Sequence, residues 1–75
     1  MKLLCEGCYA LEVNGWITLD NLTLDECKEE CLSNPDCTHF DKHNKNNLNY
    51  AKCYLKGPVS GIGALSVTDV YKKTG

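Results

Sequence analysis

Six cysteines are the residues of this chain whose type and spacing point most clearly to chemistry. They form an N-terminal pair and a later set of four: Cys5, Cys8, Cys27, Cys31, Cys37 and Cys53. Six cysteines among 75 residues is the density of a disulfide scaffold. A chain this short has a small hydrophobic core, so cross-links add needed stability. Disulfides persist in oxidising surroundings, which indicates a secreted or extracellular protein.

The spacing of the last four cysteines suggests two bridges. A helix would place Cys27 and Cys31 on one side, because they are four residues apart. Cys31 would then lie at the helix end and Cys37 just beyond a tight turn, which suits a short bridge. Cys27 is left to reach Cys53 on a strand packed against the helix.

Cys5 and Cys8 are predicted to bond to each other across two residues. Bonds to flanking or partner chains and redox chemistry are the alternatives. A zinc site that joins this pair to Cys27 and Cys31 also has tolerable ligand spacing. Six cysteines exceed a four-ligand site, however, and bridges explain the set better, so no metal or cofactor is expected.

His39, Asp41 and His43 recur at every second residue, so a strand would place them on one face. They could form a surface metal site or a catalytic pair, but two exposed imidazoles and a carboxylate at a strand exit are the more ordinary interpretation. The sequence places no serine or free cysteine beside a base for nucleophilic catalysis. It also isolates no acidic pair in apolar surroundings. We therefore predict that the protein is not an enzyme.

A second alternating pattern is the candidate ligand-binding site. It combines rings and ammonium groups along one strand face with two asparagines of the preceding loop: Tyr50, Lys52, Tyr54, Lys56, Asn47 and Asn49. Rings pack on the C–H faces of sugars, while lysine and asparagine donate hydrogen bonds to hydroxyls. The ordinary interpretation is a solvated strand face, and the functional one is a recognition surface.

A single helix must position the later cysteines. Thr23 and Glu26 form a capping box, which predicts a helix that begins after Thr23. Pro35 disfavours helical geometry at the residue before it, so the helix should end within residues 33–36. Its inward stripe is predicted to consist of Leu24, Cys27, Cys31 and Leu32. Asn21 opens an Asn-Leu-Thr glycosylation sequon whose threonine is also the predicted cap.

Strands are predicted on both sides of this helix. Asn14-Gly15 between the β-rich runs 9–13 and 16–19 predicts a hairpin, because both residues tolerate the positive φ of a tight turn. Further strands are predicted over residues 37–42, 50–56 and 65–72. The polar stretch 43–49 is a predicted loop, and the glycine-rich stretch 57–63 a flexible connection.

The run LTLDECKEECLSNPDCTHFDK, followed by KCYLK, resembles a PAN/apple domain. The resemblance covers about residues 9–72 and is strongest over 22–56. It implies a small α+β fold in which one α-helix packs on a curved antiparallel β-sheet, with the bridges Cys27–Cys53 and Cys31–Cys37. Residues 1–75 then form one domain. The sequence departs from the larger apple pattern, in which an N-terminal cysteine pairs with one near the C-terminus, because no cysteine follows Cys53.

The resemblance implies a non-enzymatic extracellular module that recognises a carbohydrate or a protein on a cell surface. We expect one module of a larger secreted or cell-surface protein. One alternative is a structural or assembly module. The other is binding of sulfated, heparin-like glycans through Lys42, Lys45, Lys52 and Lys56. This alternative rests on charge segregation: residues 41–75 hold six lysines and two acids, whereas residues 1–40 hold two lysines and eight acids.

The composition argues against a nucleic-acid partner and against a transmembrane segment. The net charge is −2 and arginine is absent, so the chain lacks the bidentate group that reads guanine edges and phosphates best. A nucleic-acid partner is therefore not expected. No apolar run approaches the ~20 residues that span a bilayer, so no transmembrane segment is expected.

Overall fold

Five strands and one helix follow one another in the computed structural model, which describes residues 1–13, 15–43 and 52–73. In chain order they are β1 (Lys2–Glu12), β2 (Trp16–Asp20), α1 (Leu24–Ser33), β3 (His39–His43), β4 (Lys52–Lys56) and β5 (Val59–Lys72). None of these elements is a helix long and apolar enough to cross a membrane.

The five described strands form one antiparallel sheet in the order β1-β5-β3-β4-β2. The helix α1 packs on one face of this sheet, against β3 and β4. One helix on an antiparallel sheet with three disulfides is the α+β fold that the sequence predicts.

The predicted hairpin around Asn14-Gly15 is wrong. The strands on either side of it, β1 and β2, lie at opposite edges of the sheet. β1 pairs with β5 instead, and beyond its end the amide of Val13 donates to the carbonyl of Pro58 at 3.2 Å. Gly15 does have a positive φ of 86°. Gly15 thus has the backbone conformation that a tight turn needs, but β1 pairs with a strand that is distant in sequence.

The stretch 57–63 is not a flexible connection, because β5 begins at Val59 and pairs with β1 from there on. Gly63 lies opposite Tyr9, whose ring occupies the space that a β-carbon at Gly63 would need. Glycine in a strand often marks such a close approach of neighbouring groups. β1 likewise extends to Lys2, well before the predicted start at residue 9.

The predicted capping box is confirmed at the start of α1. The amide of Glu26 donates to the hydroxyl of Thr23 at 3.2 Å, and the carboxylate of Glu26 accepts from the amide of Thr23 at 2.9 Å. Cys27 and Cys31 are buried as predicted, but Leu32 is 51% exposed. Its place in the inward stripe is wrong, because it is turned about 100° around the helix from Cys31.

The core has two parts, each with its own disulfides. The larger part lies under α1 and contains the bridges Cys27–Cys53 and Cys31–Cys37 around buried Phe40 and Leu55. The ring of Tyr71 stacks on Phe40 with centroids 5.0 Å apart. The smaller part joins β1 to β5 around Cys8, Ala10 and Val70, beside the Cys5–Cys8 bridge. The three bridges use every sulfur that the zinc alternative would need.

Candidate ligand-binding face

The candidate binding site is the sheet face opposite α1, where aromatic and hydrogen-bonding side chains lie together. Phe40, Cys53 and Leu55 point into the core beneath α1, so their strand neighbours point the other way. In register across β2, β4 and β3, Trp16 lies beside Lys56 and Thr18 beside Tyr54. We call this surface the aromatic face and define it by its described members: Trp16, Thr18, His43, Lys52 and Tyr54.

Lys56 lies beneath this face rather than on it. Its side chain is 7% exposed, and its ammonium donates to the carboxylate of Asp41 and the carbonyl of Ala10, each at 2.7 Å. The carboxylate of Glu12 lies 3.3 Å from the same nitrogen. The expectation that Lys56 belongs to an exposed stripe is therefore wrong. The acceptors around the ammonium come from β1 and β3, two strands that are not adjacent to each other in the sheet.

Two rings flank the buried ammonium. Lys56 Nζ lies 5.7 Å from the ring centroid of Trp16 and 5.9 Å from that of Tyr9. A cation within about 6 Å of an aromatic ring is attracted to its face. Lys56 thus positions the indole of Trp16, which is 54% exposed, at the rim of the aromatic face.

The buried carboxylate of Asp41 completes this arrangement. It accepts from the amide of Ala10 through both oxygens, at 3.1 and 3.2 Å. Burial raises the pKa of Asp41, although the hydrogen bond and charge of Lys56 and the amide of Ala10 act in the opposite direction. A backbone hydrogen bond is the main cause that lowers the pKa of Glu12. The ion pair fastens β1 onto the sheet.

The members of the triplet His39, Asp41 and His43 have different partners in the structure. Asp41 belongs to the ion pair with Lys56, while His39 Nδ1 lies 2.8 Å from the hydroxyl of Thr38. No group of three potential metal ligands occurs among residues 1–13, 15–43 and 52–73. Burial is the first cause that lowers the pKa of both imidazoles.

Lys52 and Tyr54 are the predicted site residues that the aromatic face brings together. The ammonium of Lys52 is exposed and lies 3.6 Å from the carboxylate of Asp20. The hydroxyl of Tyr54 lies 3.2 Å from Nε2 of His43, and their rings are 5.7 Å apart. The other predicted residues, Tyr50, Asn47 and Asn49, lie outside the described residues, and their role stays a prediction.

Three residues of this face were absent from the predicted ligand-binding set, namely Trp16, Thr18 and His43, and Trp16 is the largest and most exposed aromatic group among them. Its indole N–H donates to the hydroxyl of Thr18 at 3.2 Å, which fixes the ring on the sheet. Two features of the sequence could have predicted Trp16 as a site residue: it is the sole tryptophan, and it alternates with Thr18 in a predicted strand. The predicted hairpin paired this strand with β1 instead of with β4, so Trp16 was not expected beside Tyr54 and Lys52.

Asn21, the candidate glycosylation residue, is exposed in the turn between β2 and α1 and has a φ of 59°. Its sequon hydroxyl, on Thr23, is the acceptor of the helix cap. Glycosylation there stays a prediction.

One helix packed on an antiparallel sheet with three disulfides defines a small disulfide-rich α+β domain. Residues 9–74 match the family model of the PAN domain. The chain therefore belongs to the PAN domain family, whose members are extracellular, non-catalytic modules that bind proteins or carbohydrates. No curated protein and no solved structure gives a significant match.

Proposed function

We propose that this chain is a non-enzymatic adhesion module that recognises a neutral carbohydrate on a cell surface through the aromatic face. The exposed indole of Trp16, held over Lys56 on the same sheet face as Tyr54, is the observation that carries the proposal. Aromatic rings fixed in place supply contact area at low entropic cost. The hydroxyl of Thr18, the phenol of Tyr54 and the ammonium of Lys52 offer hydrogen bonds to sugar hydroxyls.

The charges near this face favour a neutral ligand over a sulfated one. Lys56 is enclosed by Asp41 and Glu12, and Lys52 lies beside Asp20. Lys42 lies on the α1 side of β3, where its ammonium approaches the carbonyl of His43 at 3.3 Å. The described lysines of the heparin-like alternative are therefore separated or neutralised, whereas sulfated chains need several cations on one surface.

A glycan array read at about 0.05 M and 0.5 M salt tests this proposal. We expect signals from a restricted set of uncharged sugars that persist at the higher salt. Signals from sulfated glycans that disappear with salt would support the heparin-like alternative. A blank array would favour the structural or assembly module.

If the array identifies a bound glycan, substitutions then test whether it binds at the aromatic face. Trp16→Ala and Tyr54→Ala should each weaken binding about tenfold or more, and one factor of ten corresponds to about 1.4 kcal/mol. Leu32→Ala is the matched control, since it truncates an equally exposed apolar side chain on α1. Unchanged affinity in both aromatic variants, with folding verified by circular dichroism, would show that the ligand binds elsewhere.

A further inference from the structure

The two edge strands of the sheet, β1 and β2, differ in how readily another chain could pair with them. β1 has three register shifts against β5, and Gly7 within it has a positive φ of 66° beside the Cys5–Cys8 bridge. Bulges of this kind twist an edge and hinder pairing with another chain. β2 pairs with β4 over all five residues, Trp16 to Asp20, without a shift. Its other side is an outer edge of the described sheet.

The side chains of β2 are those of a docking strand. Natural edge strands are often blunted by lysine or proline, but β2 has neither, and Asp20 at its end is its one charged residue. Trp16 is 54% and Ile17 51% exposed, and they point to opposite sides of the sheet. An added strand would therefore find an apolar contact on each of its faces.

A groove next to this edge adds a pocket for a side chain. It has a volume of about 620 Å³, and its lining includes Ile17, Pro35, Asp36 and Pro58. The walls are largely apolar, and Asp36 is the acidic residue among them. Lys56 also lines the groove, but its ammonium is paired with Asp41. No ion pair found among the described residues uses Asp36.

The acidic residues near β2 favour a positively charged partner. Residues 12–36, which contain β2, α1 and the turn that lines the groove, hold seven acids and one lysine. Two of these acids, Glu12 and Asp20, are paired with Lys56 and Lys52, which leaves five on α1 and in the turn after it. A basic segment is attracted to such a surface and an acidic one is repelled. Lysine and arginine also combine an apolar stem with a charged end, which suits apolar walls that lead to a carboxylate.

We propose that β2 binds an extended basic peptide segment of another protein, which adds to the sheet beside β2. Backbone hydrogen bonds to the outer edge supply the affinity, and side-chain pockets supply the preference, as in strand addition generally. Alternate side chains of the peptide contact Trp16 on one face and Ile17 on the other. A lysine or arginine on the α1 side enters the groove and pairs with Asp36.

Three synthetic hexapeptides with capped ends test the proposal. The first alternates lysine and valine, the second alternates glutamate and valine, and the third is the lysine peptide with alternate amides N-methylated. We expect binding of the first alone, because the second has the wrong charge and the third cannot complete a hydrogen-bond ladder. Chemical shifts of the ¹⁵N-labelled protein should change in residues 16–20 and at Asp36, and amide exchange in β2 should slow.

Variants separate strand addition from general charge attraction. Ile17→Lys places a like charge on the docking edge and should weaken binding of the lysine peptide about tenfold or more. Asp36→Asn should weaken it by a factor of about two to five. Leu3→Lys is the matched control, since it puts the same charge on an exposed leucine of the other edge strand, β1, and should change nothing. Circular dichroism verifies the fold of each variant.

Three results would overturn the proposal. Equal binding of the N-methylated peptide, or shift changes confined to α1, would mean attraction to the acidic surface without strand addition. Sedimentation that shows a dimer, with Ile17→Lys as a monomer, would make a second copy the occupant of this edge. Tyr54→Ala should leave peptide binding intact, so failure here and failure of the carbohydrate proposal are distinguishable.

Discussion

At the residue scale, Lys56 connects the ion pair that joins β1 to β3 with the aromatic face. Its ammonium joins Asp41 of β3 to Ala10 and Glu12 of β1, and it underlies the exposed ring of Trp16. A sequence pattern of alternating lysines and tyrosines cannot distinguish this lysine from exposed Lys52, because both occupy the same strand face. The difference arises from β1, a strand distant in sequence that covers one end of that face.

Lys56→Met should destabilise the fold strongly. The substitution keeps most of the apolar stem and removes the charge, which leaves the buried carboxylate of Asp41 uncompensated. Removing one partner of a buried pair costs about 3–5 kcal/mol. Lys52→Met removes a partner of an exposed pair and should cost about 0–1 kcal/mol. Urea denaturation measures both.

The double variant Lys56→Met/Asp41→Asn provides the internal check. It should recover part of the loss, because no unpaired buried charge remains. Equal unfolding free energies for Lys56→Met and Lys52→Met would contradict the role assigned to the buried pair.

The hydroxyl of Thr23 has two separable roles, in the helix cap and in the sequon of Asn21. Thr23→Ala should cost about 1 kcal/mol, while Thr23→Asp should preserve the cap. Both remove the sequon, and Asn21→Gln removes it without touching the cap hydroxyl. In a glycosylating host we expect a glycosidase-sensitive mass that is absent from all three variants and retained in Thr23→Ser. A wild-type protein without that mass would refute glycosylation at Asn21.

At the element scale, local signals predicted the helix and long-range pairing decided the sheet. The limits of α1 follow from Thr23, Glu26 and Pro35, which act within a few residues of the helix ends. The partner of β1 could not be predicted in the same way, because β5 lies about fifty residues further along the chain and the Asn14-Gly15 signal concerns its immediate neighbours only. Strand pairing depends on side-chain packing across the sheet more than on local preference.

The two disulfides of α1 should contribute unequally to stability. Cys27–Cys53 closes a loop of 26 residues and Cys31–Cys37 one of six. Loop-closure entropy assigns them about 3.5 and 2.2 kcal/mol respectively. Paired alanine variants, Cys27→Ala/Cys53→Ala and Cys31→Ala/Cys37→Ala, should therefore lose stability in that order in thermal or urea denaturation. A larger loss from the shorter loop would contradict this assignment.

At the scale of the whole molecule, the site assembles from strands that are remote in sequence. Trp16, Tyr54 and His43 come from three strands and share a face because β2, β4 and β3 are neighbours in register. Alternation along β4 was enough to predict that Lys52 and Tyr54 point the same way. Trp16 could not be added without the order of the strands, which the sequence patterns do not contain.

The folded domain should lose stability as the pH falls through the range in which histidine titrates. Burial lowers the pKa of His39 and His43 below the ordinary value of 6.5, so the unfolded chain takes up protons first. Stability therefore rises with pH up to about 6.5 and is lost below it. Asp41 acts in the opposite direction, because its raised pKa favours the folded state as the pH falls.

Urea denaturation between about pH 7.5 and pH 5.5 separates these contributions, since the ordinary pKa of histidine lies inside this interval. The wild-type midpoint should fall on acidification, and His39→Gln/His43→Gln should flatten the profile, because the double variant lacks both imidazoles. Either single variant should give an intermediate slope, since the two imidazoles lie on the same strand but contact different partners, Thr38 and Tyr54. Parallel profiles for the wild type and His39→Gln/His43→Gln would show that neither imidazole is held neutral by the fold.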